Sequence, residues 1–427
     1  MTVGQLAGRA MTYARRGPSM FVIAHNLTNV VNYAFLLAMA RALRPDEFGL
    51  FAALFGAIYL ASALANSTQI TMAALVAGAD ANQSAALAGA GVRRLLATFL
   101  PVAMVAAVCL RPAAAFLHTG DLTAVALTGA AACLLLLAAV GYGALQGSGR
   151  FAFLGFGLLV AAVGRLALSG LLVWLGLGVQ GAILGVVAGL ALSALLVLTP
   201  YMREIFRPAS RSLPQFTNLL VASLASLAIA IPTSADVVLM RHYVPVQEAG
   251  AYAAVSVLGK VVIFAPIAVS LVFFPSFVRA GAARRTDSSL LRLNLLGTGA
   301  IALPLAVGVA WAGAALPQVF FRGYATSSPF LWSYVAAMLA FSFVVTLLYY
   351  AVAHRSTGIV VAVCAGLAAE LATISVWHPS LTGVALVLLA GNTALVAAGL
   401  LGCGAHANLP QPRVRDLLMA AGTESQY

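Results

Sequence analysis

The sequence predicts an all-α polytopic membrane protein, with about twelve transmembrane helices in two six-helix lobes related by a parallel repeat. Three observations carry this: composition, a count of apolar windows, and an internal duplication. Of the 427 residues, 62% are hydrophobic and only 8% charged, and the mean hydropathy is +1.01. A soluble domain carries about a quarter charged residues, so this chain cannot coat a water-facing surface. Soluble enzymes, nucleic-acid binders and secreted disulfide scaffolds are excluded on that ground. The +12 formal charge, held by 22 Arg and the single Lys260, reads first as membrane topology and only then as affinity.

A bilayer core needs roughly 20 mostly apolar residues per helix. Twelve windows meet this in order, near 19–43, 48–70, 92–110, 122–145, 151–177, 180–201, 216–241, 248–278, 289–316, 329–353, 357–377 and 380–405. The loops between them are short, the longest expected from Thr71 to Gly91, which leaves no room for a soluble domain. With both ends on the cytoplasmic side, that side collects Arg9, Arg15, Arg16, Arg93, Arg94, Arg150, Arg203, Arg207, Arg211, Arg279, Arg284, Arg285, Arg292, Arg355, Arg413 and Arg415. The outer side collects only Arg41, Arg44, Arg111, Arg241 and Arg322. One missed or invented span would invert every loop after it, so this bias supports the count.

The amino terminus has signal-peptide features, with Arg9, Arg15 and Arg16 before an apolar run and a small-x-small Ala38-Met39-Ala40. Retention as a first span is expected instead, because the run is long enough to cross and has a counterpart in the second half. Cys109, Cys133, Cys364 and Cys403 all lie in apolar runs without C-x-x-C spacing, so neither a disulfide nor a metal site is implied.

The duplication is visible after spans 1 and 7. The first copy reads Arg41-Ala-Leu-Arg-Pro45-Asp-Glu47-Phe-Gly49-Leu-Phe51-Ala-Ala53; the second reads Arg241-His-Tyr-Val-Pro245-Val-Gln-Glu248-Ala-Gly250-Ala-Tyr252-Ala-Ala254. Arg, Pro, Glu, Gly, an aromatic and Ala-Ala recur in order with one insertion. Six spans separate the copies, an even number, so the halves share one orientation. The expected division is an amino-terminal lobe 1–207, a carboxy-terminal lobe 208–406 and a cytoplasmic tail 407–427.

The stretch ARALRPDEFGLFAAL, the phrase YGALQGSGRF between spans 4 and 5, and ADVVLMRHYVPVQEAGAYAA followed by FFPSFVR resemble the polysaccharide flippase family. That family belongs to the multidrug/oligosaccharidyl-lipid/polysaccharide exporter (MOP) superfamily. The resemblance covers most of the chain and rests on loose patterns, not on an invariant motif. It implies a bacterial inner-membrane protein that moves an undecaprenyl-pyrophosphate-linked oligosaccharide to the outer leaflet during surface polysaccharide biosynthesis. A polysaccharide polymerase and other export components are the protein partners it implies. YYAVAHRSTG stands where the family has a similar aromatic helix end, and Glu370 departs from the apolar or amide residue more usual there.

An ionisable side chain at the bilayer centre costs roughly 2.5–3.5 kcal/mol on insertion scales, so each is a functional candidate. Arg165 in span 5 and Glu370 in span 11 each lie roughly 20 Å from the cytoplasmic face. Each precedes a Leu-Ala pair, in spans equivalent under the repeat. They are either pseudosymmetric functional charges or lobe-internal residues neutralised locally. Lys260 lies roughly 18 Å down span 8, too deep to snorkel, and either lines a wet cavity or pairs with a carboxylate. Asp236, near the outer end of span 7, resembles an acidic residue often found there in the family. Its alternative role is a helix-end ion pair with Arg241. In span 1, His25, Asn29 and Asn32 share one helical face by their i, i+4, i+7 spacing, as substrate contacts or as helix-joining amides. Ser223, Ser226, Thr233 and Ser234 suit close packing or a polar wall, and Pro232 and Pro266 mark places for a kink.

The expectation is a transporter with a cationic central cavity opening first to the cytoplasm. Arg165 and Lys260 attract a pyrophosphate head, Asn29 and Asn32 bond sugar hydroxyls, and the polyprenyl tail stays among the membrane lipids. Glu370 and Asp236 serve coupling or ion pairing. No nucleic acid, metal or cofactor is implied, and no G-x-x-x-x-G-K-[ST] is present. Two rivals stand. One is a drug or small-solute antiporter, of the same superfamily or of the major facilitator type. The span 2–3 loop GADANQSAALAGAGVRR lacks the charged pattern of that second type. The other rival is a membrane polymerase or ligase, which needs a large outer loop rich in His, Asp or Glu.

Overall fold

The computed structural model describes residues 3–77, 79–206, 219–282, 288–312, 328–354, 356–378 and 380–408. Among them are twelve helices of twenty residues or more: α1 Val3–Ala42, α2 Pro45–Val76, α3 Ala81–Phe116, α4 Leu122–Gly147, α5 Phe151–Leu172 and α6 Gly178–Leu198 in the first half. The second half holds α7 Leu219–Tyr243, α8 Val246–Ala282, α9 Ser288–Trp311, α10 Ser328–Ala353, α11 Thr357–Val376 and α12 Leu381–Asn408. No strand occurs among the described residues. The chain is a multi-pass membrane protein. By length and hydropathy alone eight helical runs qualify as spans, with α3, bent by 42° at Pro101, as a ninth. One run, Phe151–Ile205, contains both α5 and α6, which fold back on each other at Gly176, φ 88°, a conformation that favours glycine.

The same helix pairs pack in both halves. In the first, α1 packs on α5, α2 on α4, α3 on α4, α4 on α6 and α5 on α6. In the second, α7 packs on α11, α8 on α10, α9 on α10, α10 on α12 and α11 on α12. The duplicated motif thus heads two lobes of one design. The lobes meet chiefly where α2 lies against α7 and α8. Small residues set that approach, and a Cβ on Gly56 would stand 3.2 Å from the Ser234 carbonyl oxygen of α7.

The expected long loop between Thr71 and Gly91 is mostly helix. α2 runs on to Val76 and α3 begins at Ala81, because the Asp80 carboxylate accepts the Gln83 amide at 2.7 Å and caps α3. Hydropathy windows stop at the hydrocarbon edge, whereas a capped helix continues past it. Pro232 and Pro266 lie within helices assigned without interruption. Arg207, Arg211, Arg284, Arg285, Arg322, Arg355, Arg413 and Arg415 lie outside the described residues, as do most of the 208–218 junction and the tail.

Four tryptophans mark one end of the bundle. Trp174 between α5 and α6, Trp311 at the end of α9, Trp332 in the first turns of α10 and Trp377 after α11 are all exposed. All belong to the end that carries the α1–α2 and α7–α8 connections, where an interfacial aromatic belt is expected.

Candidate functional site

In the first lobe, α5 is held tightly to α6: a Cβ on Gly189 of α6 would stand 2.6 Å from the Arg165 backbone nitrogen. That approach leaves the Arg165 side chain to the α1 and α2 side. Its Nη2 donates to the Asn32 side-chain oxygen on α1. Its guanidinium lies 4.9 Å from the Phe35 ring centroid and 5.3 Å from that of Phe55. The Nε atom is buried without a hydrogen-bond partner. Among the described residues, no carboxylate pairs with Arg165. A planar cation is therefore held by one amide and two aromatic faces, with its charge uncompensated. Asn29, one turn from Asn32, is exposed, and His25 is half-buried on the same helix.

The second lobe holds its cation differently. Lys260 of α8 lies 3.2 Å from Asp236 Oδ1 of α7, and both are buried. Asp236 Oδ2 accepts hydroxyl hydrogen bonds from Tyr252 at 3.1 Å and Tyr334 at 2.6 Å. The Tyr334 oxygen is also 3.1 Å from Ser256 Oγ. Gly259 makes room for this, since a Cβ there would stand 2.6 Å from the Tyr334 ring. Three donors, one of them the Lys260 ammonium, thus converge on the Asp236 carboxylate.

Glu370 is buried on α11, where it packs against Gly391 of α12. Its Oε2 has no hydrogen-bond partner, and the Asn392 side-chain oxygen is likewise unpartnered. No ion pair joins Glu370 to Arg165 in this conformation; the two belong to different lobes. Asp236 is joined to Lys260 and not to Arg241, whose Nε donates to the Leu117 carbonyl at 3.1 Å. With the repeats aligned on Arg41 and Arg241, Asn32 and Asp236 differ by four residues, one helical turn. The first lobe thus joins its first and fifth helices through Asn32 and Arg165, while the second carries Asp236 on its first helix and Glu370 on its fifth.

Sequence reasoning did not single out Phe35, Phe55, Tyr334 or Ser256. Tyr252 was within reach: it is the repeat partner of Phe51. Only the second copy carries the hydroxyl that finds Asp236, while Phe51 packs beside Phe35 at 5.7 Å.

No family model matches the chain, and no curated protein does. Solved structures do match. The lipid II flippase MurJ, in an inward closed conformation, superposes with a TM-score of 0.69 over 93% of this chain and 89% of that one, at 13% identity. A multidrug resistance MATE family transporter of the MOP superfamily, inward-facing, gives 0.65 over 89% and 96%, at 15% identity. A MOP superfamily transporter from Pyrococcus furiosus gives 0.51 over 93% and 95%, also at 15% identity. The chain has the fold of MOP superfamily transporters, as the resemblance implied.

Proposed function

We propose that the protein is a flippase that moves a polyprenyl-pyrophosphate-linked oligosaccharide across the bacterial inner membrane by alternating access. The observation that carries this reading is the carboxylate-free guanidinium of Arg165, aimed with Asn32 into the lobe interior. An uncompensated cation at this depth is costly unless an anion visits it. A pyrophosphate meets its planar fork with two oxygens. Exposed Asn29 adds donors and acceptors for sugar hydroxyls. Lys260 joins the head site only when Asp236 releases it, so head binding and the acidic pair are coupled. The chain supplies no covalent chemistry; rocking of the lobes carries the head across while the tail stays in lipid. Both termini face the cytoplasm on this reading, supported by the arginine bias.

A second reading has its own observation. The buried acids Asp236 and Glu370, with Tyr252 and Tyr334 beside them, suit an organic cation, as in drug export. The experiment that separates the two is deletion in the native host. Loss of surface polysaccharide with unchanged drug tolerance supports the flippase; intact polysaccharide with raised drug sensitivity overturns it.

A further inference from the structure

At the tryptophan-marked end, three consecutive residues of α7 reach away from their own helix. Arg241 is buried and donates to the Leu117 carbonyl at 3.1 Å, with Nη1 3.5 Å from the Asp46 carbonyl. His242 Nδ1 lies 2.7 Å from the Phe116 carbonyl, and its ring stacks on Phe116 at 4.1 Å and 7°. The His118 ring is 5.1 Å from His242 at 21°. Tyr243 turns the other way and stacks on His378 at 4.3 Å. Two residues of the second lobe therefore grip Phe116–His118 of the first, while the third anchors them to the α11–α12 connection.

The grip is specified by backbone as well as side chains. His118 has φ 49°, a left-handed conformation that few non-glycine residues adopt. That turn brings its imidazole to His242. Since the Phe116 carbonyl only accepts, Nδ1 of His242 is the donor, and a further proton enters at Nε2 without breaking the bond.

We propose that Phe116, His118 and His242 form a latch that holds the lobes together at this end and releases as pH there falls through the imidazole range. Imidazole is the side chain whose charge changes between about pH 5 and pH 8. One charge on the pair is absorbed by the Phe116 face, a cation–π contact. A second is opposed by the first across 5.1 Å and by the guanidinium of Arg241, the next residue. Neither histidine has a carboxylate partner among the described residues. The Asp46 carboxylate is held by Arg44 at 2.7 Å, and its charge also acts on the Arg241 guanidinium. Asp121, three residues after His118, gives its carboxylate to the Ala124 amide and the Gln180 side chain, and Tyr243 and His378 stack on each other. Double protonation thus places two like charges 5.1 Å apart beside a guanidinium, which works against closure.

The test uses the full chain in lipid nanodiscs, native cysteines replaced, with spin labels at Thr123 and Gln247. Both are exposed, one on each lobe, and outside the latch. Their separation is measured at about pH 8 and about pH 5, which bracket the imidazole range. The long-distance population should rise about tenfold relative to the short one on acidification, the change given by one proton that the open form binds about ten times more tightly than the closed form. His118→Phe with His242→Phe keeps the stack and should abolish the shift. His118→Asn, a residue that tolerates the left-handed backbone, should do so too and guards against a misfolded double variant. An unchanged wild-type distribution overturns the latch, as does a shift that persists in both variants.

Discussion

Gly49 and Gly250, the glycines that occupy the same place in the two copies of the repeat, meet backbone to backbone across the lobe boundary. A Cβ on Gly49 would stand 2.9 Å from the Gly250 amide nitrogen, and one on Gly250 would collide with the Pro45 carbonyl. The first turns of α2 and α8 thereby close one end of the bundle. Each glycine permits the other's approach, so a duplicated sequence feature has become a contact between its own copies.

Gly250→Ala should force that end apart. Overpacking a tight contact costs about 1–3 kcal/mol, enough to lower the closed population about tenfold. Alkylation of a cysteine introduced at Ala249, buried against Gly49 in the closed end, should quicken accordingly. Ala at Gly308, which has open space around it, should leave the rate unchanged.

Lys260→Gln should destabilise more than the double change Lys260→Gln with Asp236→Asn. Removing one partner strands a buried carboxylate, at about 3–5 kcal/mol, whereas removing both is milder. Thermal unfolding in detergent gives the order. A single variant as stable as the double would place the pair in water. Gly259→Val, by displacing the Tyr334 ring, should mimic part of the single variant's loss.

Glu370→Gln tests coupling. A residue paired with Arg165 in the transport cycle would have its variant rescued by adding Arg165→Gln. Because Glu370 and Arg165 belong to different lobes and form no ion pair among the described residues, we expect no rescue and a flattened pH dependence of transport. Normal transport across pH in Glu370→Gln would leave the residue without a coupling role.

These expectations rest unequally on the sequence. Twelve spans were legible because apolar windows of bilayer length are a strong signal, although the α5–α6 break at Gly176 falls inside the end of the window read at 151–177. Helix ends were not, since the cap at Asp80 extends α3 beyond any hydropathy threshold. Arg165, Lys260, Asp236 and Glu370 stood out as rare charges in apolar surroundings. Their partners did not: the Asp236–Lys260 pair joins residues 24 apart on two helices, and Tyr334 arrives from 98 residues away. Such contacts depend on how helices pack across a lobe, which no local pattern encodes. The His118–His242 stack, spanning both lobes, was invisible for the same reason.

The most direct measurement is flipping of a polyprenyl-pyrophosphate-linked oligosaccharide by the purified protein in liposomes, for wild type, Arg165→Lys and Arg165→Gln. If the uncompensated guanidinium receives the pyrophosphate, Arg165→Gln should lose about 100-fold in rate, the scale of a charge-assisted bond worth about 1.5–3 kcal/mol. Arg165→Lys, which keeps charge but not the planar fork, should fall between the two. Equal flipping by wild type and a well-folded Arg165→Gln would contradict the account.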